Sequence, residues 1–150
     1  VRFEARMIGS GDLLDDAFRQ RAATLDVELL GRRTDVPQLL PQASVFLFTS
    51  IPEGEGMPGV FIEAGLCGLP TVSTKVPGAH TVIEHGSTGF VHPPEDLDAL
   101  ADSCAKLLAD RSLRDRMGQA ARERCVEHFS EETGFARWRA IIDAAIRSKR

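Results

Sequence analysis

The sequence predicts a doubly wound α/β fold: a parallel sheet with helices on both faces, followed by a helical tail. Three observations carry this reading. Short apolar runs alternate with amphipathic segments through the first half, with very short loops between them. The run Val45 to Thr49 (VFLFT) is apolar on both faces, which suits a central parallel strand. The second half keeps a helical apolar period almost to its end. Right-handed crossovers turn such an alternation into a doubly wound sheet, and ligands then bind beyond the carboxyl ends of the strands.

The elements follow in order. Arg2 to Ile8 reads as a strand that ends at Gly9-Ser10-Gly11. Asp12 caps a helix with apolar positions Leu13, Leu14, Ala17, Phe18 and Leu25. Val27 to Leu30 is a short strand ending at Gly31, and Asp35 caps a brief helix with Pro37 in its first turn. Gly59 to Cys67 reads as a helix stopped by Gly68, and Pro70 to Ser73 as the next strand. Thr81 to His85 is a helical turn ended by Gly86, and Thr88 to His92 (TGFVH) is a strand. Leu97, Leu100, Ala101, Cys104, Leu107 and Leu108 hold the helical period, as do Leu113, Met117, Ala121 and Cys125. Ser130 caps a last helix with Phe135, Trp138, Ile142, Ala145 and Ile146 on one side, which reads as an intramolecular packing face. There is no repeat, low-complexity tract or linker, so residues 1–150 read as one domain.

Composition narrows the function. A chain of 150 residues can bury a real core. Its 43% hydrophobic and 27% charged residues set it apart from disordered chains. A net charge of −4 gives no reason to expect a nucleic-acid partner. No apolar run approaches the roughly 20 residues that cross a bilayer, and there is no signal-peptide pattern. The three cysteines, Cys67, Cys104 and Cys125, are odd in number, lack metal-ligand spacing and fall on apolar helix faces. They read as reduced core residues of a cytoplasmic protein, with no metal site.

The stretch PEGEGMPGVFIEAGLCGLPTV, Pro52 to Val72, is the most informative. It starts where VFLFTS ends, at the ligand edge of the expected sheet. Pro52 to Pro58 is too rich in glycine and proline to be helical. The helix that starts near Gly59 would offer the N–H groups of Gly59, Val60 and Phe61, and a helix start favours a diphosphate. Glu63 lies one turn further in, inside an otherwise apolar run. An ionised carboxylate only accepts hydrogen bonds, which suits a vicinal diol such as a ribose edge. Two such charge-assisted bonds are worth about 1.5–3 kcal/mol each. Glu55, on the loop, would face whatever extends beyond the diphosphate. The alternative is local: Glu63 caps its own helix region or pairs with an arginine.

The whole pattern EGMPGVFIEAGLCGLPTVSTKVPGAHTVIEHGSTGFVHPPEDLDAL resembles the nucleotide-sugar-binding domain of family 4 glycosyltransferases, the Rossmann-like C-terminal half of the GT-B fold. Two glutamates are separated by seven residues, then come alanine, Gly-Leu-Pro, a Pro-Gly turn, HGSTGFV and an acidic helix start. MIGSGDLL, VELLGRRTDVPQLL, the serine ending VFLFTS and MGQAARERCVEHFS agree, so the resemblance runs from about residue 3 to 142. It implies a retaining, metal-independent transferase of polysaccharide or glycolipid biosynthesis that needs no cofactor. Its donor substrate would be a nucleoside diphosphate sugar, and its acceptor a sugar or lipid-linked sugar. By the same resemblance Glu55 contacts the donor sugar and is the catalytic residue, and Glu63 holds the ribose hydroxyls. Gly59 and Val60 give backbone donors to the diphosphate, with Met57 beside them. Gly31 to Arg33 form the turn beside the nucleobase, with Gly31 and Arg33 acting through main-chain groups.

Three departures from the family pattern stand out. A preceding strand with a Gly-Arg…Lys-Gly segment, whose charges neutralise the diphosphate, is not in the sequence, nor is the acceptor domain. The chain is therefore expected to be the donor-binding part of a longer enzyme, truncated at its N-terminal end and inactive alone. His80 and Thr81 stand where many relatives carry arginine and glutamate, and His80 reads as a surface residue.

Rival readings are weaker. Gly9-Ser10-Gly11 opens a helix as in nicotinamide-binding folds, with Glu28 about twenty residues on. But Leu14 stands where the third glycine is needed, and Asp12 would set a negative charge against the pyrophosphate. A nucleotide-sugar epimerase of the same fold would carry Asp-Ser-Gly-Gly where Lys75 to Gly78 stand. A non-catalytic module that binds nucleotide or protein is the third. Arg137, Arg139, Arg147, Lys149 and Arg150 are either a solvated helix face or a contact with the inner face of an anionic membrane. In GT-B enzymes the terminal helix often crosses to the other domain, which would leave its apolar side open in this chain alone.

Overall fold

A computed structural model describes residues 2–11 and 14–148, and the chain divides between Leu39 and Leu40 into two compact units. All strand pairs are parallel and helices flank the sheets, the Rossmann-like α/β class expected, with helices at the C-terminal end.

In the first unit β1 (Ala5–Ile8) pairs with β2 (Val27–Gly31), joined by α1 (Asp16–Thr24). Arg6 stands opposite Glu28, and their exposed side chains form an ion pair at 3.1 Å. The cap of α1 is Asp15, not Asp12: the Asp15 carboxylate accepts the Phe18 N–H at 2.8 Å. Three aspartates, at 12, 15 and 16, competed for that place, and composition does not choose among them. Asp12 and Leu13 lie outside the described residues. The short helix α2 (Val36–Leu39) begins after Asp35, whose carbonyl accepts the N–H groups of Gln38 and Leu39.

The second unit holds a sheet in the order β3 (Phe46–Phe48), β4 (Thr71–Thr74), β5 (Gly89–His92). Both of its faces are covered. On one, Phe46, Phe48 and Val91 meet Phe61 of α3 (Val60–Leu66), Ala79 and Val82 of α4 (Ala79–Val82), and Cys125 of α6 (Arg111–Phe129). On the other, Val72 and Phe90 meet Leu100 and Leu107 of α5 (Leu97–Ala109) and Met117 of α6. The neighbours Phe90 and Val91 thus point to opposite sides, as strand geometry requires. Within this unit β3 pairs only with β4, so it is an edge strand here, and Leu47 is half exposed. The helix α4 starts two residues before Thr81 because Gly78 already turns the chain, with φ +75°.

Asp96, Asp110 and Ser130 cap α5, α6 and α7 (Glu131–Arg147) through the N–H groups of Ala99, Leu113 and Thr133, at 3.0, 2.9 and 3.3 Å. Cys125 is buried and Cys67 and Cys104 are half-buried, all as free thiols, and burial pushes the thiols of Cys104 and Cys125 up. The apolar side of α7 is a correction. Phe135 and Trp138 are 66% and 65% exposed, Ile142 and Ile146 are exposed too, and α7 has no buried residue. The stripe is therefore mostly open rather than an intramolecular packing face. Arg137, Arg139 and Arg147 are exposed, while Lys149 and Arg150 lie outside the described residues. Among the described residues no helix is long and apolar enough to cross a membrane.

The helix α6 grips α3 and α4. A Cβ placed on Gly118 would lie 2.1 Å from the Gly68 carbonyl oxygen, so the backbones touch. Arg122 donates to the Leu66 carbonyl at the end of α3. Arg124 donates to the carbonyls of Val82 and Thr81 at 3.0 and 2.9 Å. Gly118→Ala gains about 1 kcal/mol of helix propensity but must displace backbone, a cost of about 1–3 kcal/mol for overpacking. Net destabilisation is expected in chemical denaturation, and a raised midpoint would show that α3 and α6 separate freely.

The imidazole of His92 bonds Ser103 Oγ at 2.8 Å, and its ring is near His85 and Phe90. Lys106 lies over the Phe90 ring at 5.6 Å. Burial, helped by His85 and opposed by Asp96, holds the His92 pKa below its ordinary value. The unfolded chain takes up this proton near pH 6.5, while the folded chain resists it. The unfolded state then binds more protons below that pH, so stability falls as pH drops from about 6.5. Thermal melts of wild type and His92→Gln should run parallel above pH 6.5 and converge or cross below it. Parallel curves down to pH 5 would remove His92 from the acid response.

Candidate functional site

The residues of the site grow from the carboxyl end of β3. Beyond Phe48 come Thr49 and Ser50, a 3-10 turn at Pro52–Gly54, and Glu55 in extended backbone. The Glu55 carboxylate is half-buried and tethered. Ser50 Oγ donates to its Oε1 at 2.7 Å, and Thr74 Oγ1, at the end of β4, donates to the Ser50 carbonyl at 2.6 Å. Thr74 was not singled out in the sequence, and Ser50 only as the residue ending VFLFTS. A serine just past an apolar strand, ahead of a carboxylate loop, is the available signal.

Met57 follows, 48% exposed. The loop rests here on the turn before α4: a Cβ on Gly78 would fall 2.7 Å from Met57 Cβ. At φ +75° that turn favours glycine on conformational grounds too. Gly59 then caps α3, its carbonyl accepting the N–H groups of Ile62 and Glu63 at 3.0 and 3.1 Å. The expectation of three free N–H groups is corrected to two. The Phe61 N–H donates to the Pro58 carbonyl at 3.2 Å, because the proline ends the loop in a tight turn. The N–H groups of Gly59 and Val60 take no partner among the described residues.

The helix period explains the charge inside the apolar run. Phe61, Ala64 and Gly65 are buried, whereas Glu63 lies on the outward face with Leu66. The Glu63 side chain makes no hydrogen bond or ion pair among the described residues, so it neither caps its helix nor pairs with an arginine. Glu55, Met57, Gly59, Val60 and Glu63 therefore share one continuous loop-and-helix start.

Gly31 and Arg33 belong to the first unit. Gly31 ends β2 at φ +64°, and its carbonyl accepts the Gly9 N–H at 3.0 Å. Gly9, Gly11, Arg19, Leu29 and Gly31 line a shallow pocket there. The Arg33 guanidinium is held by Asp35 through two hydrogen bonds, 2.8 and 2.5 Å. Those bonds hold the Asp35 carboxyl below the usual carboxylate range and raise Arg33. His80 is on the surface, as expected, and Thr81 is exposed beside it. Among the described residues no three His, Cys, Asp or Glu side chains converge as a metal site would require.

A parallel sheet with an acidic, glycine-rich loop and an open helix start at its carboxyl edge defines a ligand-binding Rossmann-like domain. Residues 2–110 match the family described as Glycosyl transferases group 1, and the chain belongs to that family. It is 35% identical over 121 residues to the N-acetyl-alpha-D-glucosaminyl L-malate synthase of Bacillus anthracis, a match covering 81% of this chain and 31% of the relative. It is 27% identical over 128 residues to the Escherichia coli UDP-Gal:alpha-D-GlcNAc-diphosphoundecaprenol alpha-1,3-galactosyltransferase, covering 83% of this chain and 32% of that protein. The fold is similar to crystal structures of Anabaena Alr3699/HepE. The complex with UDP gives a TM-score of 0.83 at 26% identity, covering 94% of this chain and 41% of that one. HepE was also solved with UDP-glucose. The chain thus spans about a third of the length of these curated relatives.

Proposed function

We propose that this domain binds a nucleoside diphosphate sugar and that the whole enzyme transfers the sugar to an acceptor with retention of configuration. The observation that carries the reading is Glu63: an exposed carboxylate without a partner among the described residues, one turn behind a helix start with two N–H groups open there. Such a carboxylate can accept from both hydroxyls of a ribose. Gly59 and Val60 then face the diphosphate. The UDP and UDP-glucose complexes of HepE support a nucleotide-sugar donor. The Escherichia coli relative is named for a diphosphoundecaprenol-linked acceptor, which supports a sugar or lipid-linked sugar as acceptor here. The proposal includes a cytoplasmic enzyme peripheral to the inner face of a membrane. No metal or cofactor takes part in this reading.

The role of Glu55 follows from charge. In a retaining transfer the bond to the diphosphate breaks and positive charge grows on the anomeric carbon. A fixed carboxylate near the sugar favours that state over the neutral ground state, and only such a difference raises kcat.

Two variants test the reading. Glu63→Gln keeps the shape but loses the charge and one acceptor. Calorimetric titration with UDP should show about tenfold weaker binding or more, with an unchanged melting temperature. Equal affinity would leave Glu63 a solvated surface residue. In the whole enzyme, Glu55→Gln should lower kcat at least about tenfold, with the donor Kd changing less. A large loss of affinity at constant kcat would instead make Glu55 a ground-state contact.

A further inference from the structure

We infer that Ser50 is a positioning residue for the donor sugar: its hydroxyl, braced by Thr74, holds Glu55 by one carboxylate oxygen so that the other is presented to a sugar hydroxyl. The inference rests on the sugar-facing reading of Glu55 given above.

Nothing regular orients the stretch that carries Glu55. Pro52, Gly54, Gly56, Pro58 and Gly59 surround it, and it lies between a 3-10 turn and a helix. A glutamate in such a loop has three rotatable side-chain bonds to fix. The Ser50 hydroxyl supplies the fixation, 2.7 Å from Oε1. The short contact is a charge-assisted hydrogen bond, the stronger kind. The donor is itself immobile. Ser50 follows β3 by two residues, and its carbonyl accepts Thr74 Oγ1 at 2.6 Å, from a residue 3% exposed at the end of β4. Two strand ends therefore set the direction of one carboxylate. With Oε1 committed, Oε2 is the oxygen left to accept from a ligand hydroxyl, and the ligand does not have to freeze the side chain when it binds.

The role is read from the sugar half of the ligand alone. Kd is measured by calorimetry for matched pairs, UDP with UDP-glucose and GDP with GDP-mannose, on wild type, Ser50→Ala, Ser50→Thr, Glu55→Ala and the double Ser50→Ala/Glu55→Ala. The ratio of nucleotide Kd to nucleotide-sugar Kd isolates the sugar contribution. In the better pair, Ser50→Ala should cut that ratio by about threefold or more while the Kd of the bare nucleotide stays the same. Ser50→Thr keeps a hydroxyl and should keep the ratio. In the Glu55→Ala background the ratio should already be low, and Ser50→Ala should lower it no further. Thr74→Val removes the brace from the other side and stands in, under the same comparisons, should Ser50→Ala fail to fold.

A ratio lowered by Glu55→Ala but untouched by Ser50→Ala overturns the positioning role and leaves the reading of Glu55 intact. A Ser50→Ala loss that persists in full without Glu55 overturns it as well, because Ser50 then acts on its own. A wild-type ratio of one, or a ratio indifferent to Glu55→Ala, removes the sugar-facing reading of Glu55 and this inference with it.

Discussion

The hold of α6 on the carboxyl ends of α3 and α4 is the constraint on which the ligand edge depends. With seven and four residues, these helices are too short to persist by themselves. Their last carbonyls have no partner within the helix and carry the negative end of the dipole. Arg122 and Arg124 supply cations to those carbonyls, at Leu66 on α3 and at Thr81 and Val82 on α4. Contact between the Gly118 and Gly68 backbones sets the spacing, and Gly65 lets Cys125 approach in the same way. In a parallel crossover a helix runs back against its strands, so fixing its carboxyl end also fixes its amino end beside the strand tips. The start of α3, with Gly59 and Val60, is therefore positioned from behind by a helix far along the sequence.

The sheet supplies the other half of the support. Phe46, Phe48 and Val91 bury one face while Val72 and Phe90 bury the other. Strand ends held on both faces are rigid anchors for polar contacts. Thr74 and Ser50 use that rigidity on the loop side, where Met57 also rests against the Gly78 turn. The loop is glycine-rich in sequence, yet it is seated at two points, on the β4 end through Ser50 and on the Gly78 turn through Met57.

Much of this was legible beforehand because local chemistry decides it. Gly68 stops α3 in a left-handed conformation at φ +73°, and Ser130 caps α7, as their residue types suggest. Strand positions followed from short apolar runs between turn residues, and each lay within a few residues of its expected place. Three things were not legible. Asp15 rather than Asp12 caps α1 because neighbouring aspartates have equal propensity, and only the realised backbone separates them. The Phe61 N–H is taken by Pro58 because loop geometry, not composition, sets that turn. The apolar period of α7 correctly marks a helix with one hydrophobic side, but a period does not name the surface that side meets. Phe135 and Trp138 keep the period and lie open.

The two glutamates of the loop sit in unlike surroundings, and on the proposed reading those surroundings give one side-chain type two tasks. Glu63 sits on the outward face of α3, where water already solvates its charge, so having no internal partner costs nothing and both oxygens stay available. Phe61 and Ala64 on the inward face fix the backbone that carries it. Glu55 is half-buried and has lost part of that solvation, and an acceptor removed from water without compensation is costly. The Ser50 hydroxyl supplies the compensation and sets a direction at the same time. An open carboxylate suits affinity for a flexible diol, because it can adapt to it. A tethered one suits a task in which a charge must already point at the place where opposite charge will develop. The seven residues between them carry the chain from a seated loop into a helix, and that change of environment is what makes the pair unequal.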